Sequence, residues 1–191
     1  MPVKVLSQEE FSVFTSNLHK LSYRDRAICS LLIFCGLRNA EVCSLLWSDI
    51  VTMGHIKTSI YIRAINSKSG VARFIPVPAP CVDALKIYMD ETFPLEDPPE
   101  PDKSVFITKN MKIRIQPMDV QRIVAASTLQ LFGKAYNPHA LRHTFADQLL
   151  KYTNIRVVQT LLGHKSLSST QIYTHPTTAD CTAASSRAFN P

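Results

Sequence analysis

The strongest constraint on the fold is a periodicity that changes from helical to extended and back. Apolar residues recur at helical spacing up to about residue 46, whereas residues 59–65 and 71–77 are rich in Ile, Val, Phe and Tyr. Between these two runs, residues 66–70 (Asn-Ser-Lys-Ser-Gly) have the composition of a hairpin turn. Helical spacing resumes from residue 81. The pattern therefore predicts two antiparallel strands, with Lys68 at the hairpin tip, inserted in a helical chain.

Capping residues mark the ends of several predicted helices. Ser7 and Glu10 have the spacing of a capping box, and Gly36 is a favoured C-terminal residue for a helix that begins near Ser22. The fold class predicted from these signals is α+β and mostly helical, with a small antiparallel sheet near the N-terminal third. The remaining predicted elements are a short helix over 39–46, a strand over 104–108 and helices over 81–91, 117–132, 140–152, 155–162 and 168–173.

Length and composition indicate one globular domain. The 191 residues are 46% hydrophobic and 19% charged, which excludes disorder as the main character of the chain. Residues 93–102 (FPLEDPPEPD) favour a surface loop, and an interdomain linker is the alternative. No secretory signal or run of apolar residues long enough to span a membrane occurs, so we expect a cytoplasmic, nucleoid-associated protein.

The net charge indicates the kind of partner, and the cysteine pattern bears on disulfides and zinc binding. Lys and Arg number 21 against 15 Asp and Glu, a net charge of +6, which suits a polyanionic partner without proving one. The five cysteines include no C-x-x-C pair, which favours buried free thiols over disulfides or a zinc site.

Polar residues occur at four places next to predicted helix ends or turns. They are Arg38 after a helix end, Lys68 on the predicted hairpin, His139 to His143 after a proline, and His164 after a glycine. Each has an ordinary structural explanation when taken singly, such as an ion pair, an exposed turn lysine or a helix cap. His139 and His143 are spaced i, i+4 and could join His164 as zinc ligands. The H-E-x-x-H pattern is absent, however, and an arginine between two ligands would oppose a cation.

Four stretches together resemble the tyrosine recombinase (phage integrase) family. They are CGLRNAEVCSLLWSDI at 35–50, SKSGVARFIPVP at 67–78, NPHALRHTFADQLL at 137–150 and LLGHKSLSSTQIYTH at 161–175. Any one of them is a weak signal, but all four occur in the family's order and at similar spacing. The resemblance spans residues 7 to 176 and implies the catalytic-domain fold of that family.

The resemblance implies a transesterification through a covalent 3′-phosphotyrosine. Tyr173 matches the nucleophile, Arg38 and Arg142 match the arginines that bind the non-bridging phosphate oxygens, and Lys68 matches the lysine that protonates the leaving 5′ oxygen. The resemblance places the acid/base histidine at His139 and the phosphate-binding residue at His164, with Glu41 and His143 in supporting positions. We expect no cofactor and no metal, because the arginines, lysine and histidines supply the positive field.

The resemblance also implies double-stranded DNA as partner and self-association on DNA. The implied function is site-specific recombination, and the alternatives are relaxation of DNA by a type IB topoisomerase or a catalytically silent DNA-binding protein. We expect residues 1–176 to form the catalytic domain, either as a single-domain member or as an isolated catalytic unit of a larger one. Residues 177–191 are polar and Ala-rich, so we expect a flexible tail in the monomer or one that docks on a neighbouring protomer.

Overall fold

The computed structural model describes residues 5–66, 70, 72–93, 99–108, 113–163 and 178–189. Single 3₁₀ turns lie at Leu18–Lys20 and Ala64–Asn66. The helices are α1 (Gln8–Asn17), α2 (Tyr23–Cys35), α3 (Asn39–Ser44), α4 (Trp47–Ile50), α5 (Ala79–Thr92), α6 (Pro117–Phe132), α7 (Pro138–Leu150), α8 (Ile155–Leu162) and α9 (Thr178–Phe189). The strands are β1 (Val51–Thr52), β2 (His55–Ile56), β3 (Ser59–Ile62) and β4 (Arg73–Pro76).

Helix α2 is the centre of the core. Every residue from Ala27 to Cys35 is buried, and the helix packs against α5 on one side and α7 on another. Its predicted ends are confirmed: the Ser22 side chain accepts a hydrogen bond from the Asp25 backbone, and Gly36 adopts the left-handed conformation (φ 61°). A helix buried all round requires apolar residues on every face, as this segment has.

The predicted hairpin is confirmed as the antiparallel pair β3–β4, in the register Ile60–Ile75, Tyr61–Phe74 and Ile62–Arg73. Because successive strand residues point to opposite faces, Ile60, Ile62 and Ile75 are buried while Tyr61 and Phe74 are exposed. A second antiparallel pair, β1–β2, precedes it. The sheet content is therefore small and antiparallel, as predicted.

The strand predicted over 104–108 is wrong. Within the described residues, this stretch forms two isolated bridges, Leu46 with Ser104 and Ile107 with Arg114. Val105 and Phe106 are both buried although they are consecutive, so the segment lies between two parts of the core and pairs with each over a single residue. The alternation that would build a ladder is absent.

The C-terminal residues differ from the flexible tail expected from the sequence. Helix α9 packs on its own chain against β4, α7 and α8. Its terminal Phe189 is buried and contacts the rings of Phe34 and Phe145, with centroids 5.6 Å away in each case. Cys181, Ala184 and Ser185 of the same helix are also buried, so α9 docks along one face that ends in an aromatic side chain. Docking on a neighbouring protomer stays a prediction.

Other predictions fall within or beside the described residues. All five cysteines are buried free thiols, as predicted. Among the described residues, none of the helices combines the length and apolar character needed to cross a bilayer. The helix predicted over 168–173 lies outside the described residues, as do residues 94–98 of the acidic, proline-rich stretch.

Candidate active site

Arg38 stands at the start of α3, two residues after the glycine that ends α2. Its backbone N–H donates to Oε2 of Glu41 at 2.7 Å, and its Nη1 donates to Oε1 at 3.1 Å. The reach of the third helical residue back to the N-cap backbone is half of a capping box. The Arg38 side chain keeps 18% of its surface exposed, whereas Glu41 is fully buried. Arg38 can therefore meet a ligand while Glu41 holds it.

Arg142 comes from α7, whose start is set by Asn137: its side chain accepts from the Ala140 backbone at 2.9 Å. The Arg142 side chain is buried, and its guanidinium donates to the carbonyl oxygens of Gly36 and Leu162. Its Nη1 lies 3.7 Å from Oε2 of Glu41. Two segments far apart in sequence, residues 36–41 and the end of α8, therefore fix the position of this arginine.

Arg73 is part of the same cluster, and the sequence analysis did not identify it. Its Nη1 and Nη2 donate to the two oxygens of Glu41 at 2.9 and 2.8 Å, and its Nε donates to the carbonyl of Leu161 at 2.7 Å. A signal for it exists: period-two alternation in β4 places Arg73 on the buried face with Ile75. We call Arg38, Arg73 and Arg142 around Glu41 the arginine cluster.

The electrostatics of the arginine cluster favour an anion. Burial raises the pKa of Glu41, but the hydrogen bonds and charge of Arg73, then the Arg38 N–H and Arg142, outweigh burial and hold it below its usual range. Burial lowers the pKa of Arg142 to about 9, and the charge of Arg38 acts in the same direction. Arg142 therefore stays charged at neutral pH. Three guanidinium groups against one carboxylate leave two positive charges uncompensated within the cluster.

A surface cavity of about 240 Å³ opens over the arginine cluster. Arg38, Arg142 and His139 line it, together with Asn39, Gln121 and Asn137. His139 and Arg142 lie three residues apart on α7 and so share a helix face. The structure thus brings together three of the six residues predicted to act on the phosphate, in a polar cavity.

His143 lies one turn beyond His139, with the two rings edge to face at 4.9 Å between centroids. Partial burial and the positive charge of Arg142 lower the pKa of His143, so its ring is neutral near pH 7. Within the described part of the chain, no three His, Cys, Asp or Glu side chains come together in a way that could hold a metal.

Lys68, His164 and Tyr173 lie outside the described residues, as does any contact they make. Described segments next to Lys68 and His164 in sequence contact the arginine cluster. Leu161 and Leu162 accept hydrogen bonds from Arg73 and Arg142 and closely precede His164 in sequence. β4 begins five residues after Lys68.

The helical fold, its small antiparallel sheets and the buried arginine cluster define the class of domain, and sequence comparison identifies the family. The profile of the phage integrase family matches residues 4–180. The chain therefore belongs to the phage integrase family, as the resemblance predicted.

Relatives and solved structures agree with this assignment. The chain is 36% identical to tyrosine recombinase XerC of Alcanivorax borkumensis over 163 residues, covering 84% of this chain and 50% of that protein. It is 36% identical to tyrosine recombinase XerA of Pyrococcus furiosus over 186 residues, covering 97% of this chain and 62% of that protein. The chain thus spans between half and two thirds of these relatives' length.

The structural matches extend over nearly the whole chain. The crystal structure of XerA recombinase superposes with a TM-score of 0.72 at 30% identity, covering 98% of this chain and 65% of that one. XerH recombinase bound to its difH substrate superposes with a TM-score of 0.66 at 24% identity, covering 97% of this chain and 54% of that one, and supports the fold alone.

Proposed function

We propose that this chain carries the catalytic centre of a site-specific DNA recombinase that cleaves and rejoins strands through a covalent 3′-phosphotyrosine. The observation that carries the proposal is the cavity in which Arg38, Arg142 and His139 meet over a buried Glu41. Family membership supports it, and double-stranded DNA is the proposed partner.

The chemistry requires what the cavity offers. As the phosphodiester is attacked, negative charge spreads over its non-bridging oxygens, and cations that are already fixed stabilise that state most. Arg142 is fixed by two carbonyls and Arg38 by Glu41, so neither needs to reorganise when the phosphate arrives. A guanidinium also binds two oxygens at once. The two arginines are therefore suited to the equatorial oxygens.

The proposed reaction exchanges one phosphoester bond for another, so the bond energy is conserved. The Tyr173 oxygen attacks phosphorus, the bond from phosphorus to the 5′ oxygen breaks, and Lys68 gives that oxygen its proton. A phenol has a pKa of about 10, so Tyr173 must lose its proton to a nearby base, the role proposed for His139. Rejoining reverses these steps with the 5′ hydroxyl of another strand. Neither step consumes a nucleotide.

The test uses a pool of nicked duplexes with a randomised core, in which cleavage releases a short fragment and traps the adduct. We expect a covalent protein–DNA band that resists denaturant, and sequencing of the trapped DNA would identify the site. Tyr173→Phe keeps the ring and removes the attacking oxygen, so it should form no adduct while its binding to duplex DNA is unchanged. An adduct formed by Tyr173→Phe would show that the nucleophile is another residue.

The two alternative functions give different products. A type IB topoisomerase would relax supercoiled plasmid without recombinant molecules, and a DNA-binding protein without catalysis would give neither adduct nor relaxation. A recombinase joins strands from two sites. Incubation with a plasmid that carries two copies of the selected site therefore separates the three, because only recombination yields inverted or excised products.

A further inference from the structure

Arg73 belongs to the arginine cluster but is not among the described residues that line the cavity. Both of its terminal nitrogens donate to Glu41 and its Nε donates to the Leu161 carbonyl. Arg142 is equally buried, at 4% side-chain exposure, but it lines the cavity. Arg38 is 18% exposed and also lines the cavity. Arg73 therefore differs in kind from the other two arginines: they face the cavity and it lies behind them.

Arg73 sets the orientation of the carboxylate that the other arginines use. Oε1 of Glu41 accepts from Arg73 and from Arg38 Nη1, while Oε2 accepts from Arg73 and from the Arg38 backbone. Oε2 also lies 3.7 Å from Arg142. The paired, parallel bonds of a guanidinium fix a carboxylate plane in a way that a single ammonium cannot.

Arg73 also joins segments that the chain keeps far apart. It begins β4, on the return side of the hairpin, and its Nε is bonded to the end of α8. The adjacent carbonyl of α8, that of Leu162, holds Arg142. A shift of Arg73 would therefore move both Glu41 and the end of α8.

We infer that Arg73 is a positioning residue that holds Glu41 and the end of α8, and through them Arg38 and Arg142, in the arrangement that receives the phosphate. The inference rests on the proposed function. It makes Arg73 necessary for the cationic geometry of the cavity, although Arg73 itself touches no phosphate.

The first experiment titrates inorganic phosphate into the full chain labelled with ¹⁵N-arginine and follows the Nε–Hε signals. In the unmodified chain we expect the Arg38 signal to move with phosphate and the Arg73 signal to stay in place. Equal movement of both signals would make Arg73 a phosphate ligand and overturn the inference. This readout needs no variant to fold.

Arg73→Lys supplies the second readout. It keeps the charge but not the paired bonds, so we expect phosphate affinity at Arg38 to fall about tenfold, in the range seen when groups that orient a ligand are lost. The matched control is Arg24→Lys. Arg24 is also partly buried, bonded to Asp25 and to the Ile107 carbonyl, but lies at the opposite end of α2 from Gly36. Unchanged affinity in a folded Arg73→Lys chain would overturn the inference.

The final readout separates positioning from general structural support. On a nicked duplex whose scissile phosphate is replaced by a neutral methylphosphonate, less charge needs stabilising. We expect Arg73→Lys to slow adduct formation more on the phosphodiester than on the methylphosphonate, whereas an equal loss on both would indicate a structural role and overturn the inference. If the unmodified chain forms no adduct, the proposed function fails, and the phosphate titrations still decide the role of Arg73.

Discussion

A carboxylate with no exposed surface is costly to bury, and Glu41 is tolerated because three guanidinium groups surround it. Removing one partner from a buried ion pair destabilises a protein strongly, because the other charge is left uncompensated. Glu41 has a second use at this scale. It presents its oxygens to Arg38 and Arg73 at the same time, so that its loss would disturb the cavity as well as the core.

The acid dependence of stability should identify Glu41. Its folded pKa lies below its ordinary value of 4.5, so its stabilisation is fully present above that pH and is lost as pH falls through the folded pKa. Glu41→Gln should therefore cost about 3 kcal/mol in urea unfolding at neutral pH, and the difference from the unmodified chain should shrink in acid. The exposed Glu9→Gln is the control and should change little. A difference that grows in acid would contradict this assignment.

Lys68 is the assignment that most needs a chemical test, because a lysine predicted at a hairpin tip has an ordinary explanation as a solvated residue. If Lys68 protonates the leaving 5′ oxygen, Lys68→Ala should slow cleavage by about 10²–10⁴-fold. A bridging sulfur leaves without a proton because a thiol has a pKa of about 8.5. The sulfur-bridged substrate should therefore restore most of the Lys68→Ala rate.

Arg38→Ala is the matched control for that rescue, since its defect is in charge stabilisation and sulfur cannot repair it. Equal rescue of both variants, or of neither, would mean that Lys68 binds the phosphate or only solvent. Cleavage rates of the two variants on oxygen- and sulfur-bridged duplexes are the measurement.

At the residue scale, the sequence predicted the groups that face the cavity better than those behind it. Arg38, His139 and Arg142 stand in motifs that can be compared between proteins. Arg73 lies in a strand, where an arginine is ordinarily solvent-exposed, and only its alternation with the buried Ile75 indicates that it points inward. Its partner Glu41 is 32 residues away in sequence, a pairing that no local pattern specifies.

At the scale of elements, the glycine that ends α2 has two tasks. Gly36 takes a left-handed conformation, and a Cβ built on it would lie 2.3 Å from Cδ1 of the buried Phe145 ring. Its carbonyl also accepts from Arg142. The close approach of α2 and α7 at this point is therefore what lets one helix end support the arginine of another.

Gly36→Ala should be much more damaging than a glycine-to-alanine change at an open helix end. We expect a loss of about 3 kcal/mol, from left-handed strain plus the clash with Phe145. Gly133→Ala is the matched control: Gly133 also ends a helix at positive φ, but a Cβ added there would meet no atom within 4 Å. That control should lose only about 1 kcal/mol. Equal losses in urea unfolding would rule out the role given to Phe145.

Phe189 is the largest side chain on the buried face of α9, which also includes Cys181, Ala184 and Ser185. Phe189→Ala removes the ring that packs on Phe34 and Phe145, at a cost of about 3 kcal/mol. We expect the amides of α9 to lose protection from hydrogen exchange while those of α2 keep theirs. Phe74→Ala, which removes a ring that is 58% exposed, should leave both unchanged. Loss of protection in α2 as well would mean that α9 is part of the main cooperative unit.

Local signals predicted most elements, and the failures have a physical cause. Capping residues and periodicity placed α1, α2, α6 and α8 closely. The composition of residues 104–108 is typical of a strand. The stretch instead forms one bridge with Leu46 and one with Arg114, and each bridge joins a single pair of residues. Docking of α9 depends on a cleft built from distant elements, which the composition of residues 177–191 does not describe.

At the scale of the whole molecule, the net charge of +6 and the cluster's own positive charge act over different distances. The overall charge attracts any polyanion weakly and is screened by salt. Under the proposed function, the arginine cluster adds a fixed point of contact for one phosphate, with Arg38 as its accessible member. Binding to duplex DNA should contain both contributions.

Binding of the 191-residue chain to random-sequence duplex should be weak and sensitive to salt. We expect dissociation constants on the order of 10⁻⁴–10⁻⁶ M at physiological salt, because a domain of this size neutralises few phosphates. Fluorescence anisotropy over a range of salt concentrations gives the slope of the logarithm of affinity against the logarithm of salt concentration.

Arg38→Ala should reduce the size of that slope by about one, as expected when one phosphate contact is lost. Lys86→Ala removes the same charge from an exposed position on α5 and should leave the slope unchanged. Nanomolar binding that ignores salt, or equal slopes for the two variants, would show that net charge and the cavity do not divide the binding in this way.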